Sequence, residues 1–100
     1  MTNERRSDSR KPVNLSARWD GLSGQSEARI EDIGLGGCFV NTLSRVRVGD
    51  LVVLEIQMPS GEWLRLRGEV TSYHEAVGFG LQFSFLTEDE ESELKRLLGD

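Results

Sequence analysis

The sequence predicts a mostly-β domain: a small antiparallel barrel or sandwich of six short strands, followed by one C-terminal helix. Three observations carry this. Apolar and polar residues alternate with period two through much of residues 13–85. Turns rich in glycine, proline and small polar residues separate the alternating stretches, and the period becomes helical after Phe85.

In the first stretch Val13, Leu15, Ala17 and Trp19 alternate with Asn14, Ser16 and Arg18, as a half-buried strand requires. DGLSGQ (20–25) supplies a turn, and the alternation resumes at Ala28 and Ile30. DIGLGG (32–37) interrupts it, after which CFVNT (38–42) reads as a short strand. SRVRVGD (44–50) is a loop closing on Gly49-Asp50. LVVLEIQM (51–58) is the most apolar strand, and PSGE (59–62) is a turn of hairpin length. In WLRLRGEVTSY (63–73), Leu64, Leu66 and Val70 share one side, opposite Arg65, Arg67 and Glu69. FGLQFSF (79–85) is the last strand, with Phe79, Leu81, Phe83 and Phe85 on one face.

The helix is expected at about residues 88–98. Thr87 is its cap and Glu90, three residues on, completes a capping box. Acids fill the first turn, Lys95 and Arg96 stand near the end, and Gly99 follows the last leucines, all in the sense the helix dipole favours. Leu94, Leu97 and Leu98 form a narrow apolar stripe. A helix of about three turns is marginal alone, so it must dock on the strands, plugging or covering one open end.

One hundred residues suffice for one domain with a core, and not for two. The hydrophobic share of 37% is modest, but its patterning excludes the disordered class. No run of about 18 apolar residues exists to span or insert into a membrane, and no secretory signal is visible. The single cysteine, Cys38, has no internal partner and fits a small core residue in a reducing cytoplasm. We therefore expect a cytoplasmic domain.

A net charge of −5 argues against a partner such as duplex DNA. The charge is uneven, however. Arg5, Arg6, Arg10 and Lys11 against Glu4 and Asp8 leave residues 1–11 at +2. The last thirteen residues, with six acids against Lys95 and Arg96, stand at −4. A basic head on an acidic body permits a localised anion site.

Catalytic and metal chemistry find little support. The one histidine, His74, has no carboxylate or cysteine set at metal spacing and reads as a surface residue. GLGG lacks the third glycine of a dinucleotide fingerprint, since Phe39 stands there, and no Walker lysine follows. No nucleophile is arranged beside a base and an orienting acid. The chain reads as a non-enzyme with no metal and no cofactor.

Two elements stand out. The first is RSDSR, with Arg6 and Arg10 four residues apart and Arg5 just before, in a basic segment (1–12) ahead of the main domain (13–100). A guanidinium chelates phosphate bidentately and stacks its flat face on a nucleobase. The segment reads either as a solvated flexible tail or as a tethered clamp that folds over a ligand. The second is DIGLGG, where three glycines in four positions allow a ligand close to the main chain. Asp32 at its lip can accept from a guanine N1–H or amine, or it can brace a tight turn or bulge through a nearby amide.

Together, in this order and ahead of this strand pattern, the two elements resemble the PilZ domain family, bacterial receptors for cyclic di-GMP. That family has an RxxxR motif before the first barrel strand and a [D/N]xSxxG motif at the second and third. RSDSR and DIGLGG stand in those places. A GD before an apolar strand, RGEV in the fifth strand, GFGLQF in the sixth and the closing helix agree with it. The resemblance covers essentially the whole chain and implies a six-stranded antiparallel β-barrel with a C-terminal α-helix.

The resemblance also implies roles. Arg6 and Arg10 would hold the ligand's phosphates and guanine Hoogsteen edges, the favoured arginine–guanine geometry. Asp32 would take a guanine donor edge, and Gly37 would allow close backbone approach. Arg5 implies an intercalated ligand dimer, hence two molecules of cyclic di-GMP per chain. Tyr73, near the end of the fifth strand, would stack on a base. The departure is Gly34, where the family usually has serine. A lost hydroxyl bond is worth roughly 0.5–1.5 kcal/mol, while the backbone amide at 34 is expected to remain free for the ligand.

The expected function is a cyclic di-GMP receptor or adaptor. Its arginine head orders on binding, and it signals in trans to an unidentified effector protein. Two alternatives come from other classes. A ligand-blind PilZ-like adaptor would use the barrel for protein contact alone. A single-strand nucleic-acid-binding barrel would need exposed aromatics, few of which fall outside the inferred core.

Overall fold

The structure, a computed structural model, describes residues 10–21 and 24–99. Arg5 and Arg6 lie outside the described residues. The strands are β1 (Lys11–Gly21), β2 (Gly24–Ile33), β3 (Gly37–Asn41), β4 (Leu51–Gln57), β5 (Trp63–His74) and β6 (Gly78–Phe83), followed by helix α1 (Glu88–Leu98). They close into a six-stranded barrel in the order β1-β2-β3-β6-β5-β4. Every neighbouring pair is antiparallel. Two three-strand meanders, β1–β3 and β4–β6, thus meet along the β3–β6 and β1–β4 seams, and among the described residues no sheet edge is left open.

The alternation read from the sequence supplies the core. Ala17, Trp19, Ile30, Ile33, Val40, Leu54, Ile56, Leu66, Val70, Phe79 and Leu81 all point inward and are buried. Trp19 and Phe79 meet edge to face across the interior, ring centroids 5.3 Å apart, a favoured aromatic geometry.

Three irregularities break the period of two. Register shifts fall between Pro12 and Leu15 in β1, between Ile30 and Asp32 in β2, and between Val70 and Ser72 in β5. Each adds a residue to one strand and reverses which residues face out beyond it. β1 begins at Lys11, ahead of the boundary expected at Pro12. The proline lies beside the first irregularity, where its missing N–H disturbs the ladder least.

β6 ends earlier than the alternation suggests. Phe85 is not on the inner face: it is 88% exposed, with φ 51°. The chain leaves the sheet because Ser84 N–H donates to the Arg67 carbonyl (2.8 Å) while Arg67 Nη2 donates to the Phe85 carbonyl (2.8 Å). Two residues later comes the helix cap, Thr87. Glu90 N–H donates to Thr87 Oγ1 (3.1 Å) and Thr87 N–H to Glu90 Oε1 (3.0 Å), the reciprocal capping box. Glu90 also pairs with Arg67 (3.1 Å), tying the helix start to β5. Leu94 is fully buried and Leu97 and Leu98 pack beside it, so α1 docks through the predicted stripe. Lys11 Nζ donates to the Leu98 carbonyl, placing α1 at the barrel end where β1 starts. The 42–50 connection crosses the other end, beside Trp19 and Tyr73.

Cys38 is fully buried, and its thiol is pushed up from 9.0 to about 12, chiefly by burial, with Arg10 pulling it down and Asp32 up. A folded pKa above the unfolded one stabilises the fold fully below pH 9, and that contribution is lost as pH rises towards 12. Thermal melts from pH 8 to 11 should therefore lose stability more steeply for the native chain than for Cys38→Ala. Parallel profiles would show that the thiol carries no such linkage.

Candidate functional site

The candidate site grows out of the second irregularity. Ile30 points into the core, Glu31 and Asp32 both lie towards the surface, and Ile33 is buried again. A regular strand would have sent Asp32 and Ile30 to the same face. The extra residue sends Asp32 out while Ile33 anchors the chain beside it. Asp32 pairs with Pro12 across β1, bringing it next to Arg10. Arg10 Nη1 donates to Asp32 Oδ1 at 2.8 Å, with both side chains 44% exposed. The structure thus joins one residue from each of the two sequence elements.

Beyond Ile33 the chain turns tightly. Gly34 N–H donates to the Gly37 carbonyl (2.9 Å), and the Gly36 carbonyl accepts from Phe83 N–H (2.9 Å). The amide at 34, expected to be free for a ligand, is therefore spent on the turn. Gly37 faces β6: a Cβ there would stand 2.1 Å from the Leu81 carbonyl oxygen. Its need for glycine is met by the protein's own backbone. Gly36, by contrast, faces open space.

Arg10, Gly34, Gly36 and Gly37 line one wall of a cavity of about 260 Å³ whose far wall is Thr71, Leu81 and Gln82. A guanidinium, a hydroxyl, a carboxamide and glycine backbone together offer donors and acceptors to an anion or a polar ring edge. Thr71 and Gln82 were not singled out in the sequence. The outward parity of Gln82, between Leu81 and Phe83, is a signal that could have found it. Thr71 sits in the β5 irregularity, which alternation does not reveal.

Tyr73 is not brought to this site. A Cβ at Gly80 would meet the Ser72 and Thr71 hydroxyls, so both of these side chains lie on the outer face. The following residue, Tyr73, turns inward and buries its hydroxyl at the opposite end of the barrel. His74 is exposed, its ring 5.9 Å from that of Phe39. Among the described residues no three side chains of metal-ligating type converge, and no helix is long and apolar enough to cross a membrane. A second cavity, of about 650 Å³, lies at the Tyr73 end and shares no residue with the Arg10 site.

The family model for the PilZ domain matches residues 4–100. No curated protein sequence matches the chain. Among solved structures, the PilZ domain of CeSA from a cellulose-synthesizing bacterium is similar at a TM-score of 0.70 and 17% identity, over 91% of this chain and 96% of that one. The Bacillus subtilis inhibitor of motility, MotI/DgrA, is similar at a TM-score of 0.73 and 14% identity. That match covers 90% of this chain and 47% of the other, so this chain spans less than half the length of that protein. At such identities the likeness is one of fold.

The two glycines separate structure from surface. Gly37→Ala is expected to lower stability by about 1–3 kcal/mol, the usual range for forcing an atom into packed surroundings. Gly36→Ala should stay within about 0.5 kcal/mol of the parent. Urea unfolding of both variants checks this, and equal effects would contradict the packing described for the turn.

Proposed function

The chain belongs to the PilZ domain family, and on that premise we propose that it is a non-enzymatic cyclic di-GMP receptor that signals in trans to a partner protein. The observation that carries the reading is the 2.8 Å Arg10–Asp32 pair at the rim of the glycine-lined cavity. A guanidinium has N–H groups on all three nitrogens, and Asp32 engages Nη1 alone by hydrogen bond. Arg10 can thus hold a phosphate or a guanine O6/N7 edge while still leaning on Asp32. Asp32 in turn can accept from a guanine N1–H or amine.

The energetics favour exchange. An ion pair this exposed contributes about 0–1 kcal/mol, so displacing it costs little. A charge-assisted bond to phosphate contributes roughly 1.5–3 kcal/mol. The cavity, at about 260 Å³, is smaller than the roughly 300–1,000 Å³ that envelops a drug-sized ligand. A cyclic dinucleotide would seat one base edge there and lie with its phosphates across the rim. Arg6 and Arg5 would complete the clamp, Arg5 through a second, stacked ligand molecule. Ordering of the arginine head against the barrel would create the surface that the partner reads.

Gly34 favours one second reading. With glycine in place of the family's serine and its amide already bonded, the turn presents fewer groups to a ligand. A ligand-blind adaptor would follow if this loss outweighed the arginines.

Calorimetric titration separates the two readings. Cyclic di-GMP should bind saturably to the native chain. Arg10→Ala should weaken binding by about tenfold to a hundredfold while moving stability by less than about 1 kcal/mol. A stoichiometry near two that falls to one in Arg5→Ala would support the stacked pair. Absence of heat with the native chain would leave the adaptor reading.

A further inference from the structure

The two ends of the barrel are closed differently. Helix α1 docks at one; the other is crossed by the irregular 42–50 connection and the β5–β6 turn (75–77). The connection is pinned at both of its ends by backbone bonds. Thr42 N–H donates to the Val77 carbonyl (3.1 Å), Gly49 N–H to the Val70 carbonyl (2.8 Å) and Val70 N–H to the Asp50 carbonyl (2.9 Å). Within it Val46 packs against the core. Leu43, Val48, Val77 and, at the start of β4, Leu51 do not: each is more than half exposed. They are four of the six large apolar side chains exposed among the described residues. One exposed leucine is ordinary, but four gathered at one end of a small barrel mark an interaction surface.

Charge decides what covers it. The connection and the turn carry Arg45 and Arg47 against Asp50 and Glu75, a balance of zero on a chain of −5. An anionic lipid surface or a nucleic acid calls for an excess of basic groups. A strongly charged protein of either sign would meet its own sign here as well as the opposite one. A second copy of the same end brings both signs in the same balance. Arg45 and Glu75 stand 3.4 Å apart, both side chains largely exposed. A two-fold axis beside them sets each Arg45 against the partner's Glu75. The acids of the first turn of α1 (Glu88, Asp89, Glu90 and Glu91) lie at the other end of the barrel. Joining the apolar ends therefore keeps the two acidic turns apart.

We propose that this end of the barrel is a homodimer interface, isologous about a two-fold axis. Leu43, Val48 and Val77 form its apolar centre, and two Arg45–Glu75 pairs between copies flank it. The pinned connection presents these side chains already ordered, so association costs little loop entropy. The proposal does not rest on the cyclic di-GMP reading, because the Arg10 cavity lies at the other end and stays open in the dimer.

Sedimentation equilibrium of the full chain, from about 1 μM to about 1 mM, reads the contact. The native chain should pass from the single-chain mass to twice that mass and stop there, with a micromolar dissociation constant suited to a small interface. Val48→Asp and Leu43→Asp should each weaken association at least about tenfold, since a two-fold axis applies each change twice. Thermal melts establish that both surface variants are folded. Phe85→Ser, at a comparably exposed apolar residue outside this end, should leave association unchanged. Arg45→Glu and Glu75→Arg should each weaken it at least about fivefold, and an equimolar mixture of the two should recover it as a heterodimer. The proposal is overturned by a single-chain mass up to about 1 mM, by growth beyond a dimer, or by association that Val48→Asp and Leu43→Asp leave intact. It is equally overturned if the mixture recovers nothing. Binding of a monomeric native chain to phosphatidylglycerol vesicles, lost in Val48→Asp, would overturn it too and give the face to a lipid surface.

Discussion

The seam between β3 and β6 is the constraint on which the rest of the molecule depends. β3 has only five residues with which to join the two meanders. It does so by pressing main chain against main chain at both ends. At one end a Cβ on Gly37 would stand 2.1 Å from the Leu81 oxygen; at the other a Cβ on Gly78 would stand 2.0 Å from the Val40 oxygen. Gly78 also has φ 150°, a conformation side-chain-bearing residues rarely adopt. A larger residue at either place would force the two strands apart locally and weaken the seam. Closure keeps Trp19 and Phe79 in contact inside. The same pressure folds residues 34–37 into a turn, one rim of the Arg10 cavity.

The sequence announces the periodic parts of this design and is silent on its breaks. Alternation identified the six strands and most of the core, and the Thr87–Glu90 spacing identified the helix start, because each is a local pattern with a fixed period. An added residue in a strand leaves no mark in composition, yet it reverses every side chain beyond it. Asp32 faces outward for that reason, and Tyr73 faces inward for the same one. Phe85 is a different case: it fits the period, but two hydrogen bonds to Arg67, a residue 18 positions earlier, pull the chain out of the sheet. Long-range contacts of that kind cannot be read from a local window.

The site shows the same division. Two motifs marked Arg10 and Asp32 as special, and the β1–β2 register makes them neighbours. Their partners on the far wall, Thr71 and Gln82, come from β5 and β6 and depend on the barrel's closure. A spacing argument reaches the first wall and stops there. Glu90 illustrates how one side chain can serve two levels at once: it completes the helix cap locally and binds Arg67 across the fold. Only the first of those roles was legible in the chain order.

Glycine at position 34 bears most directly on how the site works. A serine there would offer a hydroxyl either to a ligand or to the turn. In this chain the turn needs no hydroxyl, because Gly34 N–H bonds the Gly37 carbonyl and Phe83 N–H bonds the Gly36 carbonyl. If the site binds as proposed, what is lost is a contact to the ligand alone, roughly 0.5–1.5 kcal/mol if a single bond is counted. The wall opposite carries a hydroxyl and a carboxamide, on Thr71 and Gln82, and one hydrogen bond from either is of the same size. On the proposed reading, recognition would shift from the β2–β3 lip to the β5–β6 wall, while the charged contact would stay with Arg10. On the proposed reading, a rim preformed by its own backbone and an Arg10 already held by Asp32 would meet the ligand, and the arginines ahead of β1 would add charge to that contact.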